Sequence, residues 1–192
     1  TYQGDIDYED HHKFLKTYGQ YLDIEKPSLI SNITYLIQYQ LGYMYWRYFM
    51  WNFSGRQDDI QGRMDMHGNW ISGINFVDEI HLGLSQDNLP SDVSNNKSRN
   101  TYYMVPFIIG LMGLYFLYNR DKELFWTMLV FFVFTGIAIQ VYTNVRPFEP
   151  RERDYSVVGS FYVFSMWIGF GVFSIASYLN NLFNSKFVKI LA

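Results

Sequence analysis

"LFWTMLVFFVFTGIAIQVYTNV", residues 124–145, decides the fold of this chain. Its 22 residues carry no charge, and Glu123 and Arg146 bound it. A helix crossing the hydrocarbon core of a bilayer needs about 20 mostly apolar residues, so the run is long enough to cross. Its neighbours repeat the pattern. Twenty uncharged residues, "NTYYMVPFIIGLMGLYFLYN", lie between Arg99 and Arg120, and 31 lie between Asp154 and Lys186, beginning "YSVVGSFYVFSMWIGFGVFSIASYL". The expected fold is therefore all-α and membrane-embedded, with transmembrane helices at about 102–119, 124–144 and 155–180 inside a 102–185 region. Tyr102, Tyr103, Tyr118, Trp126, Tyr142 and Tyr155 stand near the run ends, where interfacial aromatics belong. Gly110, Gly113, Gly136, Gly169 and Gly171 suit close helix packing. A buried helical hairpin of a soluble protein is the competing reading; three such runs in succession argue against it.

The connections are as telling as the runs. "NRDKE", residues 119–123, is a tight turn between the first two helices. "RPFEPRERDY", residues 146–155, joins the second and third, so the two loops lie on opposite membrane faces. Lys and Arg flank the two faces almost equally, so the positive-inside rule does not orient the chain. Pro147 and Pro150 prevent the second helix from continuing, and Glu152 and Asp154 suit the N-terminal dipole of the third. Arg146, Arg151, Arg153 and Asp154 read either as a self-neutralising interfacial anchor or as a phosphate-binding loop, since guanidinium offers paired donors to phosphate.

Upstream, residues 54–101 read as a polar extramembrane loop region, rich in Gly, Asn, Asp and Ser, with at most one short strand or helical turn. Arg56, Asp58 and Asp59 in "WNFSGRQDDIQG" read as a solvated turn or as a site, because paired carboxylates can serve as a base or cation ligand. Residues 28–53 show Leu29, Ile30, Ile33, Ile37, Leu41, Met44, Tyr45 and Tyr48 at three- and four-residue steps. That pattern predicts an amphipathic helix lying on the membrane or entering it partly, with Ser28 as its N-cap. Residues 1–27 form a polar N-terminal segment without a signal-peptide core, and 186–192 a tail.

Composition removes several function classes. The net charge of −3 and the lack of a basic face argue against nucleic acid as a partner. Without cysteine there is no disulfide, thiolate metal site or cysteine nucleophile. His11, His12, His67 and His81 show no helical metal spacing and read as surface or structural residues, so no metal or other resident cofactor is expected. No nucleotide-binding glycine loop and no Gly-x-Ser-x-Gly motif occurs. Asn32, Asn52 and Asn96 begin Asn-x-Ser/Thr triplets of the kind that arise by chance.

Three longer phrases carry a resemblance: "YQLGYMYWRYFMWNFSGRQDDIQG", "GNWISGINFVDEIHLG" and "NVRPFEPRERDYSVVGSFYVFSMWIGFGV". Over about residues 28–175 the chain resembles the Bacteroidetes multi-pass membrane proteins that carry domain of unknown function 2723. These are relatives of transmembrane protein 260, an O-mannosyltransferase of the C-type glycosyltransferase superfamily. The resemblance implies transfer of a sugar from a polyprenyl-phosphate donor to a protein acceptor at the outer face of a bacterial inner membrane. Loops 54–101 and 146–154 would then be periplasmic. It further implies a middle portion of a longer polypeptide, inactive alone, whose catalytic carboxylate lies elsewhere. Catalytic residues are not assigned by it; Arg146, Arg151, Arg153 and Asp154 are the candidates for carrier phosphate, and Arg56, Asp58 and Asp59 for sugar or acceptor. A non-catalytic membrane scaffold is the alternative, and a transporter segment is disfavoured because no apolar run holds a charge.

Overall fold

The computed structural model describes residues 8–21, 27–60, 62, 67–144 and 154–183. They are mostly helical and fall into two units, Thr1–Thr34 and Tyr35–Ala192. The first unit contains α1 (Tyr8–Tyr18), a 3-10 turn (Gly19–Tyr21) and α2 (Leu29–Thr34). Ser28 caps α2 as expected, its Oγ accepting from the Ser31 amide at 3.1 Å. Leu29, Ile30 and Ile33 are exposed.

The second unit opens with a 13-residue π-helical stretch, Tyr35–Arg47, followed by α3 (Tyr48–Phe53). π-Helix is rare and seldom exceeds one turn. Here Gly42 helps to admit it, because a side chain at that position would press on the Ile37 carbonyl five residues back. Tyr35, Tyr39 and Tyr43 stack along the stretch with ring centroids 5.1 and 6.1 Å apart. The expected amphipathic interfacial helix is thus altered at its C-terminal end. Tyr45, Tyr48, Phe49, Met50 and Phe53 are buried core residues, and the apolar periodicity there reports packing against other helices.

Three further helical segments complete the core. α6 (Val105–Arg120) ends one residue before α7 (Lys122–Val133), with Asp121 as N-cap, its Oδ1 accepting from Leu124 N at 3.0 Å. That is the tight turn expected from "NRDKE". α7 continues through a π-helical turn, Phe134–Ala138, into α8 (Ile139–Thr143). α9 runs from Asp154 to Phe183. Two helices, Lys122–Thr143 and Tyr155–Asn181, are long and apolar enough to cross a membrane. The first expected span differs: its helix has 16 residues, about 24 Å at 1.5 Å per residue, because Tyr102–Met104 turn outside it and Tyr103 and Met104 adopt left-handed backbone.

Glycines bring these helices together. Gly110 lies against the Phe164 ring, and Gly113 against the Trp167 backbone and Gly171. Phe107–Phe164 and Phe116–Phe173 ring contacts at 6.1 and 5.8 Å make α6 parallel to α9. Gly136 abuts Tyr45 and Ser160, and Gly159 abuts Thr135. Phe49 is the hub of the aromatic core, touching Tyr45, Phe53, Phe107, Phe132, Phe161 and Phe164.

Residues 54–101 hold more structure than expected of a loop. β1 (Gly55–Arg56) pairs antiparallel with β2 (Asn100–Thr101), and Trp70 bridges to Arg56. Between the strands lie α4 (Asn75–Leu82) and α5 (Ser91–Ser94). This region seats on the end of the bundle where α6 begins: Tyr102 N donates to Ser54 O at 2.9 Å, and Tyr103 N to Ser72 O at 3.0 Å.

Candidate functional site

The π-helical stretch and residues 69–81 border an open, aromatic-walled cavity of about 290 Å³ whose exposed lining is mostly apolar, with a few polar side chains among it. The helix contributes Gln38, Gly42, Tyr43, Trp46 and Arg47; Asn69, Trp70 and His81 form the facing wall. A second cavity, of about 340 Å³, is apolar. Ile37, Leu41, Tyr45 and Phe49 line it from the helix, and Phe132 and Ile137 from the α7–α8 helix. Gly42 and Trp46 belong to both cavities. The apolar cavity thus lies where the longer π-helical stretch passes the shorter one, and such distortions cluster at functional positions.

The facing wall is built by two buried carboxylates. Asp78, 1% exposed, accepts from Ser72 N at 2.6 Å, Ser72 Oγ at 2.8 Å and Gly73 N at 2.8 Å. These bonds fasten the first turn of α4 to the 70–73 segment, where Gly73 has a φ of 85°. They also bring His81, one turn further on, over Trp70. The two rings stack 4.1 Å apart. Burial holds the His81 imidazole below its usual pKa, while the Asp78 charge pulls the other way.

Asp58 is the second carboxylate. Its Oδ1 accepts from Gly68 N at 2.9 Å and Ile60 N at 3.2 Å, and its Oδ2 contacts His67 Nδ1 at 2.9 Å. Arg47 ties the same loop to the helix: its Nη1 donates to Gly68 O and its Nε to Tyr43 O, and its guanidinium lies 4.4 Å from the Tyr43 ring. Asp58 closes a loop, with its oxygens committed to local donors.

Among the described residues singled out from sequence, Arg56, Asp58 and Asp59 do not converge on one site. Asp58 is buried and Asp59 exposed. The Arg56 guanidinium stacks at 4.2 Å on Trp51, and its backbone N–H donates to Asn100 Oδ1 at 3.3 Å. Asp58 and Asp59 form no clamp, and no three His, Asp or Glu side chains gather as a metal-binding group among the described residues. Arg146, Arg151 and Arg153 lie outside the described residues; Asp154 opens α9. Sequence reasoning missed Trp46, Arg47, Trp70 and the placement of His81. Only one signal was available: Arg47 is the single cation within the aromatic run "YMYWRYFMW".

Tyr43, Trp46 and Trp70 line this cavity beside the amide side chains of Gln38 and Asn69; the Trp46 ring is exposed, while Trp70 stacks on His81 and Tyr43 lies against Tyr39 and the Arg47 guanidinium. Such a lining suits a compound with apolar C–H faces and many hydroxyls. No family model, no curated protein and no solved structure matches this chain.

Proposed function

We propose that the chain is a membrane-embedded segment of a glycosyltransferase that draws its sugar from a polyprenyl-phosphate carrier and delivers it to a protein acceptor. One observation carries this reading: an aromatic-walled cavity with Gln38, Arg47 and Asn69 among its lining residues adjoins one lined by apolar side chains, across Gly42 and Trp46. An amphiphile with a saccharide head and a hydrocarbon tail is the ligand class that uses both. The resemblance to the domain of unknown function 2723 proteins supports the same substrate. In this reading α6 is the third, short membrane helix. The chain sits in a bacterial inner membrane with loops 54–101 and 146–154 on the periplasmic side. Arg151 and Arg153 hold the carrier phosphate, Arg146 and Asp154 contact the same donor, and Arg56 faces sugar or acceptor.

A second reading, a non-catalytic scaffold, is favoured by one fact. The carboxylates that brace the wall of the aromatic-walled cavity, Asp58 and Asp78, are occupied by backbone donors, so neither is poised as a base. The catalytic reading places the base elsewhere in the parent polypeptide. The test is binding of a polyprenyl-phosphate hexose to the chain in nanodiscs, followed by tryptophan fluorescence. We expect Trp46→Ala to weaken binding at least tenfold while the melting curve persists. Equal binding by Trp46→Ala and wild type refutes the site, and no binding by wild type favours the scaffold.

A further inference from the structure

α4 buries a carboxylate, Asp78, and leaves two large apolar side chains, Phe76 and Ile80, exposed. On a surface helix of a protein in water, apolar side chains face the core and polar ones face solvent. In α4 the inward side carries Val77, packed against the core, and Asp78, locked to Ser72 and Gly73, with His81 stacked on Trp70 at its edge. The outward face carries Phe76 and Ile80, one turn apart and 73% and 71% exposed. Ile74 before the helix and Leu84 after it are exposed as well. A patch of large apolar side chains on an otherwise polar region marks a contact with something apolar.

The position of α4 names that contact. The 54–101 region is bonded to the bundle end where α6 begins. α6 and α9 are parallel and α7–α8 returns between them, so the C-terminus of α8 and the N-terminus of α9 lie at the same end. Tyr102, Tyr103, Tyr142 and Tyr155 are all exposed there. Exposed tyrosines at one end of helices long enough to span form the belt expected at headgroup level. A short helix beside such a belt, apolar outward, matches an interfacial anchor.

We infer that α4 rests on the bilayer at this belt, with Phe76 and Ile80 inserted at the headgroup–acyl boundary, so that the cavity wall formed by Trp70 and His81 is held at the membrane surface. The inference rests on the reading that the α7–α8 helix and α9 cross a bilayer; it does not require glycosyl transfer.

Because the chain has no cysteine, single probes can be introduced without further changes. Phe76→Cys, Ile80→Cys, Asp92→Cys and Phe134→Cys are each labelled with an environment-sensitive fluorophore. The labelled chains are reconstituted into phosphatidylcholine–phosphatidylglycerol vesicles. Asp92 is the aqueous control on α5, and Phe134, exposed on the bundle, is the lipid control. Gel filtration and melting verify that each variant folds, and the outward side chains at 76 and 80 give two independent sites. We expect probes at 76, 80 and 134 to emit at shorter wavelength and to lose most of their intensity to nitroxide-bearing phospholipid, with the label at 92 quenched by aqueous iodide. If 134 is quenched by lipid while 76 and 80 respond to iodide, the anchor is overturned and the spans stand. If 76 and 80 are shielded from both quenchers, a protein covers the patch and the inference is overturned. If 134 also fails to respond to lipid, both readings fall.

Discussion

The closest helix contact in the structure yields a prediction of opposite signs at glycines two residues apart. Replacing Gly by Ala inside a helix favours the helix by about 0.5–1 kcal/mol, because alanine loses less backbone freedom. At Gly171 a new Cβ would press on the Ile109 carbonyl of α6, and at Gly113 it would stand 2.6 Å from the Gly171 amide nitrogen. Ordinary contact begins at 3.4 Å, and both obstructing groups are backbone, so a helix must move rather than a side chain. Overpacking of this kind costs about 1–3 kcal/mol, occasionally more. Gly169, two residues before Gly171, has nothing within 4 Å of its added Cβ. Gly169→Ala should therefore raise stability by roughly 0.5–1 kcal/mol, and Gly113→Ala and Gly171→Ala should lower it by up to about 2.5 kcal/mol net. At about 2–4 °C per kcal/mol for a chain of this size, the variants should melt on opposite sides of wild type. Thermal unfolding in one detergent, followed by tryptophan fluorescence, reads this directly. If Gly113→Ala and Gly171→Ala melt with Gly169→Ala, α6 and α9 do not approach backbone to backbone and the packing argument fails.

Two further outcomes follow from the cavity wall. Asp78→Ala leaves the Ser72 and Gly73 amides buried without acceptor, a cost of about 1–3 kcal/mol for each stranded group; limited proteolysis should cut residues 70–90 first, and an unchanged digestion pattern would contradict the fastening role. The His81 pKa is lower folded than unfolded, so the unfolded chain binds the extra proton as pH falls through about 6.5. Stability should therefore decline below that pH and level off above it, and His81→Gln should flatten this part of the melting-temperature profile between pH 5 and 7.5.

Much of the fold was legible because it depends on local properties. The length of an uncharged run limits what a helix can cross, and "NRDKE" left no room for anything but a turn. Ser28 ahead of an apolar periodicity was sufficient to place a cap. The site was less legible. Arg56, Asp58 and Asp59 drew attention because charged residues adjacent in sequence resemble a constellation. Asp58 is instead consumed by the amides of Ile60 and Gly68, and Gly68 lies ten residues further on.

The sequence by itself indicated three uncharged runs of spanning length and a tight turn at 119–123; two of the runs form helices long enough to cross a membrane, and the turn narrows to Asp121. Apolar length and capping act within a few residues, so they can be read in order along the chain. Tertiary structure alone decided which way α4 faces. Its pattern "NFVDEIHL" gathers Phe76, Val77 and Ile80 along one side, which by itself would turn that side inward. The choice was made by Ser72 and Gly73, whose amides needed a buried acceptor and found it in Asp78. Satisfying those donors turned Phe76 and Ile80 outward, which no hydrophobic pattern would indicate.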